Sequence, residues 1–265
     1  MRVAILYICT GKYDMFWPEF YESSESKFLP GIEKHYYVFS DTTKIGNTDR
    51  IHIVHQEPLD WPLITLFRFK MFCSISEKLR EYDFLFFMNA NMYINESIGE
   101  EILPFKEKLC VTLHPGQFAQ RKSSEYPYER NPASTAYIKK NEGAHYFMGG
   151  LNGGAAKEYL DMCFELNSNI LKDLRHNIIA VWHDESHLNH YMKDRTPKIL
   201  DPGYGYPDGW TIPFPPRIII RDKTKYGGHD ILRDITRDCS EVPNKPAGIA
   251  KLRSAFSGVK HRIFK

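Results

Sequence analysis

A chain of 265 residues, 42% apolar and 26% charged, has the length and composition of one large or two small domains with a substantial core, which excludes a disordered protein. Its formal charge of +2 is unevenly spread: six basic residues and no acid follow Glu241, leaving the preceding body four units negative, without the basic face that a nucleic-acid-binding body needs. Five cysteines with no CxxC pair favour a reducing compartment, and no apolar run approaches the ~20 residues of a membrane span, so a cytoplasmic protein is expected.

Val3–Cys9 reads as a buried strand, too short with its Met1-Arg2 start for a secretory signal, and is followed by the loop Thr10–Tyr13. Met15–Leu29 has helical spacing at Phe16, Phe20 and Ser24, with Pro18 in the first turn, where its missing N–H does no harm. His35–Phe39 and Ile51–His55 read as further strands and Thr65–Leu79 as a helix. Phe84–Met88, five large apolar residues in a row, suits a strand buried on both faces. It delivers Asn89-Ala90-Asn91 to a strand end, where ligand crevices open in α/β sheets. Strands alternating with helices point to a mostly parallel, nucleotide-binding α/β half. Leu109–Leu113 is the next strand, and residues 114–143 form a long polar loop with Pro115, Pro127 and Pro132, of a length that signals function inside a domain. Ala144–Met148 then leads into the glycine run 149–154, read as a turn. Ala155–His176 reads as a long helix, Ala180–Lys193 as a second one broken near Trp182, and Arg217–Arg221 as a late strand.

Asn89 and Asn91 stand where many sugar-nucleotide enzymes place an Asp-x-Asp that holds a divalent metal against the donor diphosphate. Hard cations want carboxylates, and here both side chains are neutral amides. The pattern suggests a nucleotide-sugar transferase that has dispensed with its metal; an ordinary turn after a strand is the bland alternative. The segment Ala180–Asn189 concentrates reactive groups. Asp184 and Glu185, flanked by Trp182 and His183, suit work on a sugar: indole stacks on a pyranose face, and a carboxylate stabilises or traps the cationic anomeric carbon. Zinc is the competing reading, since His183 and His187 are four apart, but a metalloprotease needs Glu directly after its first His and Asp184 holds that place. The glycine run lacks the spacing of a phosphate-binding loop. It is either a flexible turn or a place where Gly149 and Gly150, after Met148, let a bulky substituent approach the backbone. His114, in His114-Pro115-Gly116 at a strand end, either faces the same crevice or is structural. Thr10 and Tyr13 offer a hydroxyl and a ring to a nucleobase, with a core role for Tyr13 as the alternative.

Together these pieces resemble the family 6 glycosyltransferases, which include the histo-blood-group A and B transferases and the α-1,3-galactosyltransferases. The likeness runs from about Tyr7 to about Arg233. It is carried by Thr112-Leu113-His114-Pro115-Gly116, Tyr128-Glu129-Arg130, Ala136-Tyr137-Ile138, Gly149-Gly150 and above all Trp182-His183-Asp184-Glu185-Ser186-His187-Leu188-Asn189. The resemblance implies a GT-A-type α/β fold over residues 1–238: a Rossmann-like nucleotide-binding half (about 1–92) fused to a mixed-sheet donor-sugar and acceptor half (93–238). It implies transfer of a sugar from UDP to a galactose 3-hydroxyl with retention. Carried over residue by residue, Glu185 is the nucleophile or oxocarbenium stabiliser and Asp184 grips the donor sugar. Arg68 reaches the donor near Asn89 and Asn91, while Met148, Gly149 and Gly150 read its C2 substituent. Ile8, Thr10 and Tyr13 cup the uracil, and His114 and Trp182 contact the acceptor. Gly149 and Gly150 leave space for an N-acetyl group and Gly116 matches the A-type transferase, whereas Met148 resembles the B-type residue. The expected donor is therefore UDP-N-acetylgalactosamine, with UDP-galactose the alternative, and the expected acceptor is a fucosyl-α-1,2-galactose. Mammalian members carry Asp-Val-Asp at positions 89–91 and an N-terminal membrane anchor; both departures resemble the soluble bacterial branch.

No metal or other cofactor is expected, so charge left on the UDP must meet cationic side chains. Lys225 and Arg233 are the expected pair, with Lys223 in reserve, in a C-terminal segment that folds over the donor as a lid. In the basic tail 239–265, Ile249, Leu252, Phe256, Val259 and Ile263 form a helix-like stripe between basic residues. That spacing suits reversible docking on the inner face of an anionic membrane, with a disordered tail as the alternative. A non-catalytic sugar-binding protein is the competing class of function, which the intact Asp184–Glu185 pair argues against.

Overall fold

The first buried run of the chain becomes the hub of the sheet. β1 (Arg2–Ile8) has five consecutive buried residues, with β2 (Glu33–Ser40) and then β3 (Ile51–His55) on one side and β4 (Phe84–Asn89) on the other, all parallel. These belong to a computed structural model that describes residues 1–233, which lie in a single unit. The expected domain boundary at 238 and the apolar stripe of the basic tail lie outside the described residues.

The helices depart from expectation where packing overrides periodicity. α1 (Trp17–Lys27) follows a short 3-10 helix from Gly11 to Phe16, with Pro18 in its first turn as expected. The single helix expected over 65–79 is three: α2 (Leu63–Leu66), α3 (Arg68–Ser74) and α4 (Ser76–Leu79), broken at Phe67 and Ile75. This stretch is rich in aromatic and β-branched residues, which lose side-chain freedom in a helix and leave tertiary contacts to decide its path. The break matters, because Arg68 opens α3 with its side chain buried.

After the short β5 (Met92–Ile94) and β6 (Leu109–Leu113), the glycine run proves to be strand, not turn. β7 (Phe147–Ala155) lies antiparallel between β4 and β6. A Cβ on Gly153 would stand 2.5 Å from the Phe86 ring, and one on Gly154 2.6 Å from the Lys108 carbonyl. Glycine here marks close approach of neighbours rather than freedom. β8 (Lys198–Leu200) completes the seven-stranded order β3-β2-β1-β4-β7-β6-β8, and β9 (Tyr206–Pro207) and β10 (Ile218–Ile220) join β5 in a smaller sheet. This mixed α/β arrangement is the expected GT-A-type fold. The remaining helices are α5 (Ala156–Arg175), α6 (Asp184–Met192) and α7 (Gly228–Leu232). α6 starts four residues later than expected, for a reason given below. The loop 114–143 carries its own small core of Tyr126, Tyr128 and Ile138 against Tyr146, and is tied to α5 by Ser134 and Thr135 on the Asp173 carboxylate. Among the described residues, no helix is long and apolar enough to cross a membrane.

Candidate active site

β1 and β4 end side by side, Ile8 paired with Asn89, and a cavity opens at their carboxyl ends. It brings together Ile8, Thr10, Tyr13, Arg68, Asn89, Asn91 and Arg233 from four separate segments, all of them singled out by sequence. Lys225 is not among them. Its ammonium pairs with Asp208 at 2.7 Å on the surface, and Lys223 lines the cavity instead. The two lysines share a 3-10 turn of three residues per revolution, so residues two apart point different ways. Burial and the nearby Arg233 and Arg68 guanidiniums push the Lys223 pKa down to about 8. Three cationic side chains thus face the cavity, and its described lining contains no acid.

Beside the cavity, β7 parts from β6. Val111 pairs with Asn152 but Thr112 with Met148, so Gly149, Gly150 and Leu151 lie in an irregular stretch, the kind of bulge that sheets use next to functional sites. The freed backbone of Gly149 organises the charged groups. Its N–H donates to Glu185 Oε2 at 2.7 Å, and its carbonyl accepts from Arg68 Nη1 at 2.6 Å and from Asn152 Nδ2 at 3.1 Å. Arg68 Nη1 also pairs with Asp184 Oδ2 at 2.7 Å, and the guanidinium lies over the Phe87 ring at 4.0 Å.

The bare α-carbons of the two glycines are used by the protein itself. A Cβ on Gly149 would stand 3.2 Å from Asp184 Oδ2 and 3.4 Å from Arg68 Nη1; one on Gly150 would stand 2.8 Å from Asn89 Nδ2. The room expected there for a donor substituent is occupied by these side chains. Met148 is buried in the core, with its sulfur against Gly205, and does not line the cavity.

The octapeptide 182–189 divides its work residue by residue. His183 has φ 55 and ψ −126, a region that glycine favours, and strain of this kind collects at functional sites at roughly 1–3 kcal/mol each. This bend is why α6 begins only at Asp184. It turns Trp182 outward, 49% exposed, and sends Asp184 and Glu185 inward in the first helical turn, where the helix dipole favours carboxylates. Ser186 Oγ accepts the Trp182 N–H, and Asn189 exchanges two 2.8 Å hydrogen bonds with the Phe147 backbone, fixing α6 to β7. His187 is buried 3.7 Å from Asp173 with its pKa lowered to about 4 by burial, hence neutral. His183 lies outside the helix with its ring against Trp61, so the two histidines form no zinc pair.

Burial raises the Asp184 carboxyl to about 6 against the opposing pull of Arg68, and also raises Glu185, whose bonds to Gly149 and Tyr146 act the other way. Activity is therefore expected to fall as pH drops through about 6, because protonated Asp184 no longer pairs with Arg68. The linked stability runs oppositely. A raised folded-state pKa adds stability below the unfolded value, and that contribution is lost as pH rises through about 6. A pH–rate profile of kcat/KM alongside thermal melts checks both signs; an acid limb well below pH 5 would remove Asp184 from the titration.

Sequence reasoning missed Tyr146, whose hydroxyl donates to Glu185 Oε1 at 2.8 Å, and Glu129, whose buried carboxylate accepts the Val181 N–H at 2.7 Å and so steadies the turn before α6. An aromatic just before a strand looks like core, and no spacing rule links it to a carboxylate 39 residues on. His114 Nδ1 accepts the Gly116 N–H at 3.0 Å, and burial lowers its pKa. The neutral ring thereby keeps its proton on Nε2, and it packs edge-on against Tyr146 at 5.7 Å.

Residues 1–226 match the profile of Glycosyltransferase family 6. The chain belongs to that family. This family 6 glycosyltransferase is similar to the O-antigen biosynthesis glycosyltransferase WbnI of Escherichia coli, 36% identical over 85% of this chain and 96% of the relative. It is also similar to globoside α-1,3-N-acetylgalactosaminyltransferase 1 of Gallus gallus, 31% identical over 83% of this chain and 65% of that one. Histo-blood group ABO system transferase 1 of Rattus norvegicus is 35% identical over 73% and 57%. The family 6 chain thus spans less than two thirds of the length of these two vertebrate relatives. Membership makes it an enzyme that takes a nucleotide-sugar donor and a glycan acceptor.

Proposed function

We propose that this enzyme moves N-acetylgalactosamine from UDP-N-acetylgalactosamine, with retention, to the galactose 3-hydroxyl of a fucosyl-α-1,2-galactose acceptor, and that it needs no divalent metal. The observation that carries the reading is the cavity at the end of β4, where two neutral amides are faced by Arg68, Lys223 and Arg233. A divalent ion fits this set poorly, because hard cations want carboxylate oxygens. Asn91 in addition donates its amide to the Arg221 carbonyl at 2.8 Å. A diphosphate fits it well, since guanidinium and ammonium groups give charge-assisted hydrogen bonds to its oxygens.

In this reading the three cations take the charge that develops on the UDP leaving group. Uracil lies against Ile8, Thr10 and Tyr13, and Asp184 grips the sugar. Glu185, both of whose oxygens are held, serves the anomeric carbon as nucleophile or as stabiliser of its cationic character. His114 and Trp182 hold the acceptor. The N-acetylgalactosamine donor is supported by the name of the globoside relative and by the likeness of Gly116 to the A-type transferase; the likeness of Met148 to the B-type favours galactose as the second reading.

The test is UDP release from each donor, with and without fucosyl-α-1,2-galactose, in excess EDTA. Acceptor-dependent turnover in EDTA, faster with the N-acetylated donor, is expected; activity restored only by manganese would overturn the metal-free reading. In the same assay Lys223→Ala should lower kcat by roughly 10²–10³, as loss of one transition-state donor does. Lys225→Ala, at a surface ion pair, should leave it unchanged.

A further inference from the structure

Trp210 is used nowhere in the scheme above, and its setting is that of a binding surface. The residue is 53% exposed, yet its backbone N–H and carbonyl are both hydrogen-bonded. Its N–H donates to the Pro207 carbonyl at 3.1 Å, closing a turn whose third residue, Gly209, has the positive φ (+80) that a type II turn demands. The Tyr206 hydroxyl donates to the Trp210 carbonyl at 2.8 Å and accepts the Ile212 N–H, while the Asp208 N–H donates to Ile220 on β10. A large exposed ring on a fixed backbone gives the fold little apolar burial. It offers a ligand wide contact area at low conformational-entropy cost.

The edge of the ring lies near a position that carries no side chain. A Cβ on Gly116 would lie 3.4 Å from the His114 ring and 3.9 Å from Trp210 Cη2. A side chain at 116 would therefore touch both the imidazole and the edge of the indole, and the glycine keeps the surface beside both rings uncovered. The two loops that carry these rings are joined by an edge-to-face contact between Phe118 and Phe214, with centroids 5.2 Å apart. From His114 the contacts run inward: its ring packs on Tyr146, whose hydroxyl holds Glu185. A ligand seated over Gly116 would meet His114 and Trp210, neither of which lines the cationic cavity.

We propose that Trp210 is an acceptor-specificity residue, its indole stacking on the apolar face of an acceptor pyranose seated over Gly116. The hydroxyl rim of that sugar meets the Nε2 proton of His114. A ring with a C–H face and a hydroxyl edge is the chemistry that such an aromatic and donor pair recognises. This rests on the transfer reading, and the test separates the two.

Initial rates are measured at varied acceptor and at varied donor for the wild type, Trp210→Ala and Trp210→Phe, together with UDP release in the absence of acceptor. Trp210→Ala should raise the acceptor KM roughly three- to tenfold, the size of a side-chain stack, with the donor KM and acceptor-free release holding steady. Trp210→Phe, which keeps a ring, should recover most of the loss. An unchanged acceptor KM in Trp210→Ala, or equal rises in both KM values, overturns the role of Trp210 while the transfer reading stands. Absence of acceptor-dependent release from the wild type overturns the transfer reading and this inference with it.

Discussion

Glu185→Gln is expected to lower kcat about a thousandfold while leaving the fold and the donor KM near wild type. The carboxylate is partly buried, with Tyr146 donating to Oε1 at 2.8 Å and the Gly149 N–H donating to Oε2 at 2.7 Å. A glutamine of the same shape can keep both contacts. Its carbonyl oxygen accepts from Gly149, and its NH₂ donates to the Tyr146 hydroxyl oxygen, which accepts as readily as it donates. The substitution therefore removes the charge and little else. If the charge stabilises or traps the cationic anomeric carbon, its loss is worth about 4 kcal/mol of barrier, or three orders of magnitude. Steady-state rates at saturating donor and acceptor read this directly. A drop smaller than about tenfold would show that the carboxylate acts by position and not by charge.

The parts of the site that sequence makes legible are those where one side chain reports its own surroundings. Phe84–Met88 must be a strand buried on both faces, and it delivers the amide pair to the crevice as its pattern requires. The Trp182–Asn189 run marks the carboxylate pair beside the cavity for the same reason. What stays hidden is decided by neighbours distant in sequence. Absent side chains at 149–154 read as freedom, whereas Phe86, Lys108, Asn89 and the Arg68–Asp184 pair fill that space. Helical spacing puts His183 and His187 on one face only if the helix runs through both, and the positive φ at His183 ends it between them. Lys223 and Lys225 are equivalent as letters; one 3-10 turn sends the first into the cavity and the second to Asp208. Tyr146 gains a role only when β7 lies beside α6.

Arg68→Met is expected to destabilise the protein by about 3–5 kcal/mol at neutral pH and to abolish transfer, because it strands the buried Asp184 carboxylate. Denaturant midpoints at constant slope measure the first effect. The double variant Arg68→Met, Asp184→Asn separates stability from function. With both charges gone it should regain most of the lost stability, since a buried ion pair is often no better than neutral groups of similar volume. It should not regain transfer, because the cavity still lacks its guanidinium. The dependence on pH carries a further sign. Without Arg68 the Asp184 pKa lies still further above its unfolded value, so the gap between wild type and Arg68→Met is widest above the folded pKa. It narrows as pH falls toward the ordinary carboxyl range, where the group is neutral in both states. A gap that does not change with pH would assign the loss to the other contacts of Arg68, the Gly149 carbonyl and the Phe87 ring. An ion pair this deeply buried gives the fold little that methionine and asparagine would not. Its use lies in the site, where one guanidinium holds Asp184 in place and at the same time charges the cavity wall.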